Sequence, residues 1–352
     1  MASSRRFPAA DSVVMGDEVW GPVADAIRFA AGCIDFDPDP LNDRERADGH
    51  RYVQLMVSTA VQYSLLDASP FEPRFIAPLE PTRWLGASGP DIDYDVAVVQ
   101  PGVRHLISGR RGESSYVGIC VYANDGERGA TAMVDNVDVD SLTDANGRFT
   151  YEFEHPDAAR VIIRQYFHDR SSQSRGEWTI ERLVPAPAID MSQNPSVVAA
   201  RVARMVDTIR WNAQLNQLWG AGLRDSPNRL VLQSAEEIVA AVPNPDVTYA
   251  FGWWRLTPNQ ALEVTLTPPP DCRYWSLQVG DRWFQAHPDR NMNVNDRGVT
   301  PNPDGTVTIV LAERDPGRPN WLGTYGHTLG TMFFRWLHHT PAVAPECRVV
   351  DQ

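Results

Sequence analysis

The 352-residue chain contains no lysine, so arginine supplies all 32 of its basic residues. That absence removes a Schiff-base lysine, the lysine of a phosphate-binding P-loop and a Ser-Lys dyad. Cysteine is scarce, and Cys33, Cys120, Cys272 and Cys347 lie far apart with no C-x-x-C pair. They read as reduced thiols of a cytoplasmic protein. No apolar run approaches the length of about 18 residues that a membrane helix needs. The first 14 residues carry Arg5 and Arg6 but no apolar core of a secretory signal, which argues for a cytoplasmic location. G-x-S-x-G, G-x-G-x-x-G, Walker and H-E-x-x-H patterns are all missing, as are alternating strand–helix units. A nucleotide enzyme of the doubly wound kind therefore has no support, and neither does a zinc-helix protease. Basic charge is also in deficit: the net charge of −13 speaks against nucleic acid or an anionic membrane as partner.

What the chain does have is enough apolar material for a large core: 43% hydrophobic residues, with 12 Phe, 10 Tyr and 11 Trp. Helical spacing over 17–31 and 48–66 predicts a helical pair at the start, ended by Pro70, Pro73, Pro78 and Pro81. Short β-like runs follow at 96–99, 103–108, 116–122, 131–134, 149–153, 160–166 and 178–182, with a hairpin signal at Asn146-Gly147. A long helix is predicted from about 194 to 220, stopped at Gly220 and Gly222, and a short one over 235–242. Strands return at 250–256, 261–266, 274–279, 307–312 and 331–337, with a turn at 303–305. The expected fold is mainly β with inserted helices. It divides into a helical segment (1–90), a first sandwich or jelly-roll-like region (91–187), bridging helices (188–246) and a second such region (247–352).

The densest polar cluster near apolar strands runs from His287 to Arg297. His287 and Asp289 are the candidate acid–base pair, because an imidazole oriented by a carboxylate can move a proton near neutral pH. Asn293 and Asn295 alternate, so on an extended segment both amides face one side. Arg255, Arg290, Arg297 and Arg335 are candidates for holding an anionic or hydroxyl end. Trp253, Trp254, Tyr274 and Trp283 could carry an apolar body, and Trp321 and His327 sit in a loop that could gate a pocket. Core packing is the competing reading of these rings, and a solvated loop that of residues 287–297. The tandem His338-His339 points to opposite faces of a strand and does not suit one metal. Calcium at Asp91, Asp93 and Asp95, or at Asp135, Asp138, Asp140 and Asp144, has ligand type in its favour but no EF-hand pattern. No metal or cofactor is expected.

The series Phe251-Gly252-Trp253-Trp254-Arg255-Leu256, Arg273-Tyr274-Trp275-Ser276-Leu277-Gln278, Asn320-Trp321-Leu322 and Thr331-Met332-Phe333-Phe334-Arg335-Trp336 resembles the family known as domain of unknown function 1214. Upstream, residues 107–112 and 161–165 are similar to actinobacterial members, and the helical start is loosely similar to domain of unknown function 1254. The resemblance implies β-sandwich, jelly-roll-like domains with inserted helices and carries no established catalytic residues. Members often have a Tyr-Arg pair where this chain has His287-Pro288-Asp289-Arg290. The expected function is small-molecule binding, with the ligand between the C-terminal strands and the 194–220 helix. The expected protein is an accessory, cofactor-independent hydrolase or lyase of lipid, steroid or aromatic metabolism. A non-catalytic carbohydrate-binding module and a homo-oligomeric scaffold are the alternatives.

Overall fold

The structure, a computed structural model, describes residues 14–66, 70–79, 88–123, 132–185, 195–218, 221–234, 244–287, 290–341 and 343–352. Helix α1 (Val14–Asp35) leads through an acidic, proline-containing link into α2 (Asp43–Val61). The α2 start is fixed by a capping box. The Asn42 side chain accepts from the Glu45 amide, and the Glu45 carboxylate accepts from the Asn42 amide. The helix therefore begins five residues before its apolar periodicity becomes legible, and its last residues, Gln62–Leu66, continue as a π turn.

Strands β1 (Ile76–Leu79), β2 (Ile92–Val98), β3 (His105–Arg110), β4 (Tyr116–Ala123), β5 (Met133–Asp138), β6 (Arg148–Phe153), β7 (Ala158–Tyr166) and β8 (Glu177–Arg182) make two sheets, in orders β1-β2-β7-β4-β5 and β6-β3-β8. Between them lies one core that includes Ile107, Val117, Ile119, Phe149, Val161 and Ile163. The Asn146-Gly147 signal marks a turn but no hairpin. Gly147 has φ 74°, yet β5 and β6, on either side, pair with β4 and β3 in different sheets. The turn passes the chain from one layer to the other.

Helix α3 (Pro195–Leu218) and the short α4 (Ala221–Arg224) follow, so Gly222 lies inside a second helix instead of closing the first. The helix predicted at 235–242 lies outside the described residues. Strands β9 (Val231–Leu232), β10 (Val247–Arg255), β11 (Gln260–Leu266), β12 (Tyr274–Asp281), β13 (Asn293–Asn295), β14 (Val307–Ala312), β15 (Trp321–Gly323), β16 (Leu329–Leu337) and β17 (Glu346–Asp351) make a second pair of sheets. Their orders are β13-β12-β16-β10-β9 and β15-β14-β11-β17. Trp254, Trp275, Leu277, Leu262, Ile309 and Phe334 belong to the core between them. The molecule is thus mostly β and sandwich-like, with its helices gathered mainly at the start. Among the described residues no helix is long and apolar enough to cross a membrane.

Three apolar faces, on α1, α2 and α3, close on one another around Ala26, Met56 and Ile209, and the Trp283 ring from the second sandwich completes that cluster. Gly49 makes this contact feasible. A Cβ there would lie 2.9 Å from the Trp283 ring, so only a bare backbone lets the indole lie against α2. The indole N–H donates to the Glu45 carbonyl at 2.8 Å.

Candidate functional site

β12 ends in a tight turn, and the residue that holds it is Asp281. Its Oδ1 accepts from the Trp283 amide at 2.8 Å and from the Gln285 amide at 3.0 Å. This side-chain turn is the local chemistry Asp is suited to, and it leaves Oδ2 directed at other groups. Oδ2 accepts from His287 Nε2 at 2.9 Å and Gln285 Nε2 at 3.2 Å. Asp48 of α2 approaches the same place, and its Oδ2 accepts from His327 Nε2 at 2.9 Å. His327 Nε2 also lies 4.0 Å from Asp281 Oδ2, so two imidazoles and two carboxylates converge on one buried point.

His327 reaches this point through unusual backbone. Tyr325 has φ 51° and Gly326 φ 85°, and the Gly326 amide is fixed by the Glu313 carboxylate at 2.8 Å. These left-handed residues turn the chain so that His327 enters the interior, a costly local conformation for Tyr. The Tyr325 hydroxyl accepts from the Asn291 amide, and its ring lies 5.4 Å from the Arg290 guanidinium.

The tautomers follow from the partners. Arg51 can only donate, and its NH1 is 2.9 Å from His287 Nδ1, so Nδ1 accepts and the ring proton sits on Nε2, facing Asp281. In His327 the proton likewise sits on Nε2, from which the carboxylate of Asp48 accepts. Nδ1 is buried and has no hydrogen-bond partner among the described residues. Among the described residues, that lone nitrogen is the one imidazole atom of the cluster without a partner. Arg290 and Arg44 lie 3.3 and 3.2 Å from Asp48 Oδ2. Burial pushes the Asp48 carboxyl up, but the His327 hydrogen bond and the Arg290 charge outweigh it and hold the group well below the usual carboxylate range.

The ligand atoms of Asp48, Asp281 and His287 lie within 4.8 Å of one another, a spacing and donor type that could hold a metal ion. Each is already engaged, and Arg44, Arg51 and Arg290 supply positive charge of the kind a cation would bring. The geometry is that of a carboxylate–imidazole network compensated by arginine.

The structure brings together three of the residues singled out in the sequence, His287, Arg290 and His327. Asp289, the expected partner of His287, lies outside the described residues, and the described partner is Asp281. Arg255 pairs with Asp39 at 2.7 Å, while Arg297 lies mostly in solvent beside Asp296. Asn293 and Asn295 do face one side, and both donate to Asp91 Oδ2, at 2.8 and 2.7 Å. The four rings assigned to one apolar body fall into four separate clusters: Trp254 in the second sandwich, Trp253 beside Phe284, Tyr274 beside Tyr166, and Trp283 among the helices. All four are buried. Trp321 donates to the Ala312 carbonyl at 3.1 Å and lies 6.4 Å from the Tyr325 ring. Arg335 sits between the two sandwiches, beside Gln278. His338 and His339 diverge, the first toward Asp138 and Asp246, the second toward Asp271. Asp48 and Asp281 were missed. The capping-box spacing Asn42…Glu45 was readable and places Asp48 in the first turns of a helix, but only the fold brings it to His327.

Residues 227–346 match the family described as Protein of unknown function (DUF1254). The match falls on the second sandwich, whereas the sequence resemblance placed that family at the helical start. None of the curated proteins matches the chain. Among solved structures, an uncharacterised protein from Burkholderia cenocepacia is similar over 97% of this chain and 98% of its own, with 25% identity and a TM-score of 0.88. The VPA0106 protein from Vibrio parahaemolyticus aligns over 84% of this chain and 99% of its own, with 11% identity and a TM-score of 0.46.

Proposed function

We propose that the protein binds a small organic molecule and transforms it by acid–base chemistry, as a hydrolase or lyase that works without a cofactor. The observation that carries this reading is His327. One ring nitrogen is held by Asp48, and the other is buried with no hydrogen-bond partner among the described residues, the arrangement of an oriented general base. His287, held by Asp281, is the second imidazole, and its Nδ1 is freed whenever Arg51 turns to an anionic group of a substrate. Arg51 and Arg290 are suited to that recognition because a guanidinium binds a carboxylate or oxyanion through two parallel donors. The resemblance to domain of unknown function 1214 adds the family context and no chemistry. The carbohydrate-platform alternative finds less support, since Trp253, Trp254, Trp275, Trp283 and Trp336 are all buried.

The test is a turnover screen of carboxylic esters, amides and β-hydroxy acids, run with the native protein, His327→Gln and His287→Gln. A turnover that falls by about 10²–10⁴ in His327→Gln, with the melting temperature kept within a few degrees, is the expected result. Unchanged turnover in both variants, or none across the screen, overturns the proposal.

A further inference from the structure

A cleft opens at one end of the first sandwich. In the strand register His105 on β3 lies opposite both Arg182 on β8 and Phe153 on β6, so these strands meet there. Residues 71–74, just ahead of β1, pass the same end. Between them and the last residues of β8 lies an open volume of about 520 Å³, within the range of about 300–1,000 Å³ usual for small-molecule sites. Its walls include Phe71, Pro73, Ile180 and Val184, and Val184 is 40% exposed. Glu72 and Arg74 stand exposed on its rim, whereas Arg182 is half-buried.

Arg182 is the unusual member of the cleft. Its Nε and NH1 are shut off from solvent and have no hydrogen-bond partner among the described residues. The Phe71 ring stands 5.6 Å from the guanidinium. A ring over the face of that group uses none of its N–H donors, which lie in the plane. Glu181, next in sequence, is on the outer face of β8 by strand alternation, and among the described residues Arg182 has no ion pair. His105, opposite it, brings no counter-charge. Its Nδ1 donates to the Val103 carbonyl at 2.8 Å, and burial lowers the pKa of the ring, with the Arg182 charge adding to that. Other arginines are matched: Arg104 with Glu152, Arg224 with Asp37 and Asp39, Arg318 and Arg348 with Glu263. A shielded guanidinium with donors left over is a cost to the fold unless something accepts from it.

We propose that this cleft is a second ligand site and that it takes a small organic carboxylate. The carboxylate oxygens accept from Arg182, and the apolar body lies along Pro73, Ile180 and Val184. Charge complementarity selects an anion, and the apolar walls select one with a hydrocarbon body over a bare inorganic ion. The site goes beyond the acid–base reading and does not depend on it, since none of its residues belongs to the His327 network.

The experiment uses the full-length protein and matched probes: 2-naphthoate against 2-naphthol, octanoate against octan-1-ol, and inorganic phosphate alone. Thermal unfolding and calorimetric titration are measured for each. The expected result is a concentration-dependent rise in melting temperature with a carboxylate and none with its alcohol. Arg182→Met weakens the carboxylate by about tenfold or more. The same variant keeps or raises the melting temperature of the free protein, because it removes a charge that nothing matches. Should Arg182→Met fold poorly, Val184→Glu sets a like charge at an exposed position of the cleft and still weakens the same probe. Arg51→Gln, at the acid–base centre, leaves the affinity unchanged. No response to either carboxylate, equal response to acid and alcohol, or stronger binding of phosphate alone overturns the assignment. So does affinity that survives Arg182→Met, or that is lost in Arg51→Gln, which would put the ligand at the acid–base centre instead. Turnover that depends on His327 is read separately, so either proposal can fail while the other stands.

Discussion

Two carboxylates, Asp48 buried on α2 and Asp91 half-buried between the sandwiches, are satisfied in opposite ways. Asp48 is met by charge and by a proton donor: Arg44, Arg290 and His327 all reach its Oδ2. Asp91 takes its hydrogen bonds from neutral groups, the amides of Asn293 and Asn295 and the Tyr274 hydroxyl at 3.1 Å, with the Arg170 charge a smaller influence. The consequence appears in their acidity. Asp48 is held well below the ordinary range, whereas burial pushes Asp91 up in spite of three hydrogen bonds. Neutral donors orient a buried carboxylate, but they do not offset its desolvation as guanidinium groups do.

Removing each charge separately breaks this comparison most directly. Asp48→Asn leaves Arg290 and His327 facing a weaker acceptor in a buried place, and a loss of about 3 kcal/mol in urea unfolding is expected. Asp91→Asn relieves a desolvation cost while losing acceptor capacity, and the expected loss is about 1 kcal/mol. Equal losses would show that charge compensation makes no difference between the two places.

Acidity gives an intermediate effect, of opposite sign at the two sites. The folded pKa of Asp48 is lowered, so its stabilisation is full above the unfolded carboxylate range of about pH 4 and drains away as the pH falls below it. That of Asp91 is raised, so the fold favours its protonated form, and its contribution declines as pH rises through about 4 toward the raised value. Unfolding free energies measured from pH 3 to 7, roughly the span of these ranges, should therefore lose acid sensitivity in Asp48→Asn and gain it in Asp91→Asn. Parallel shifts in both variants would contradict the assigned directions.

The smallest expected change is Gly49→Ala. A methyl 2.9 Å from the Trp283 ring and 3.0 Å from Ile34 forces the indole off α2, and alanine's better helix propensity offsets part of that strain. A net loss of about 1 kcal/mol is expected, with quenching or a shift of tryptophan fluorescence. A stabilised variant with unchanged fluorescence would show that Trp283 has room to move.

The sequence made the strands legible where they alternate or run wholly apolar, as in 307–312, which matches β14 residue for residue. It missed β9, β13 and β15, which have two or three residues each, too few to show a period of their own, and are defined by pairing with the neighbouring strand. β1 and β17 also escaped, because neither contrasts clearly with the polar residues around it. The site was half legible for a related reason. His287, Arg290 and His327 stood out as reactive types near strands, but Asp48 lies 279 residues from His327, a separation that leaves no local signature. The paired amides of Asn293 and Asn295 were readable because a two-residue period is enough to predict a shared face.

Arg282 bears on where the molecule can be divided. Its guanidinium is fully buried, and apart from the Thr328 hydroxyl at 3.4 Å its acceptors are Glu45 at 2.9 Å, Asp37 at 3.3 Å and the Asp39 and Pro40 carbonyls at 3.0 and 3.3 Å, all from the opening helices and their link. Glu45 also caps α2 and accepts from Thr328, so one carboxylate starts a helix and locks it to the far half of the chain. The stretch 227–346 that carries the family match is therefore no free-standing module. Cut away from the opening helices, it would leave the Arg282 guanidinium without its carboxylate partners and uncover the Trp283 ring that packs among them, so a truncation at that boundary separates a cation from the charges that hold it.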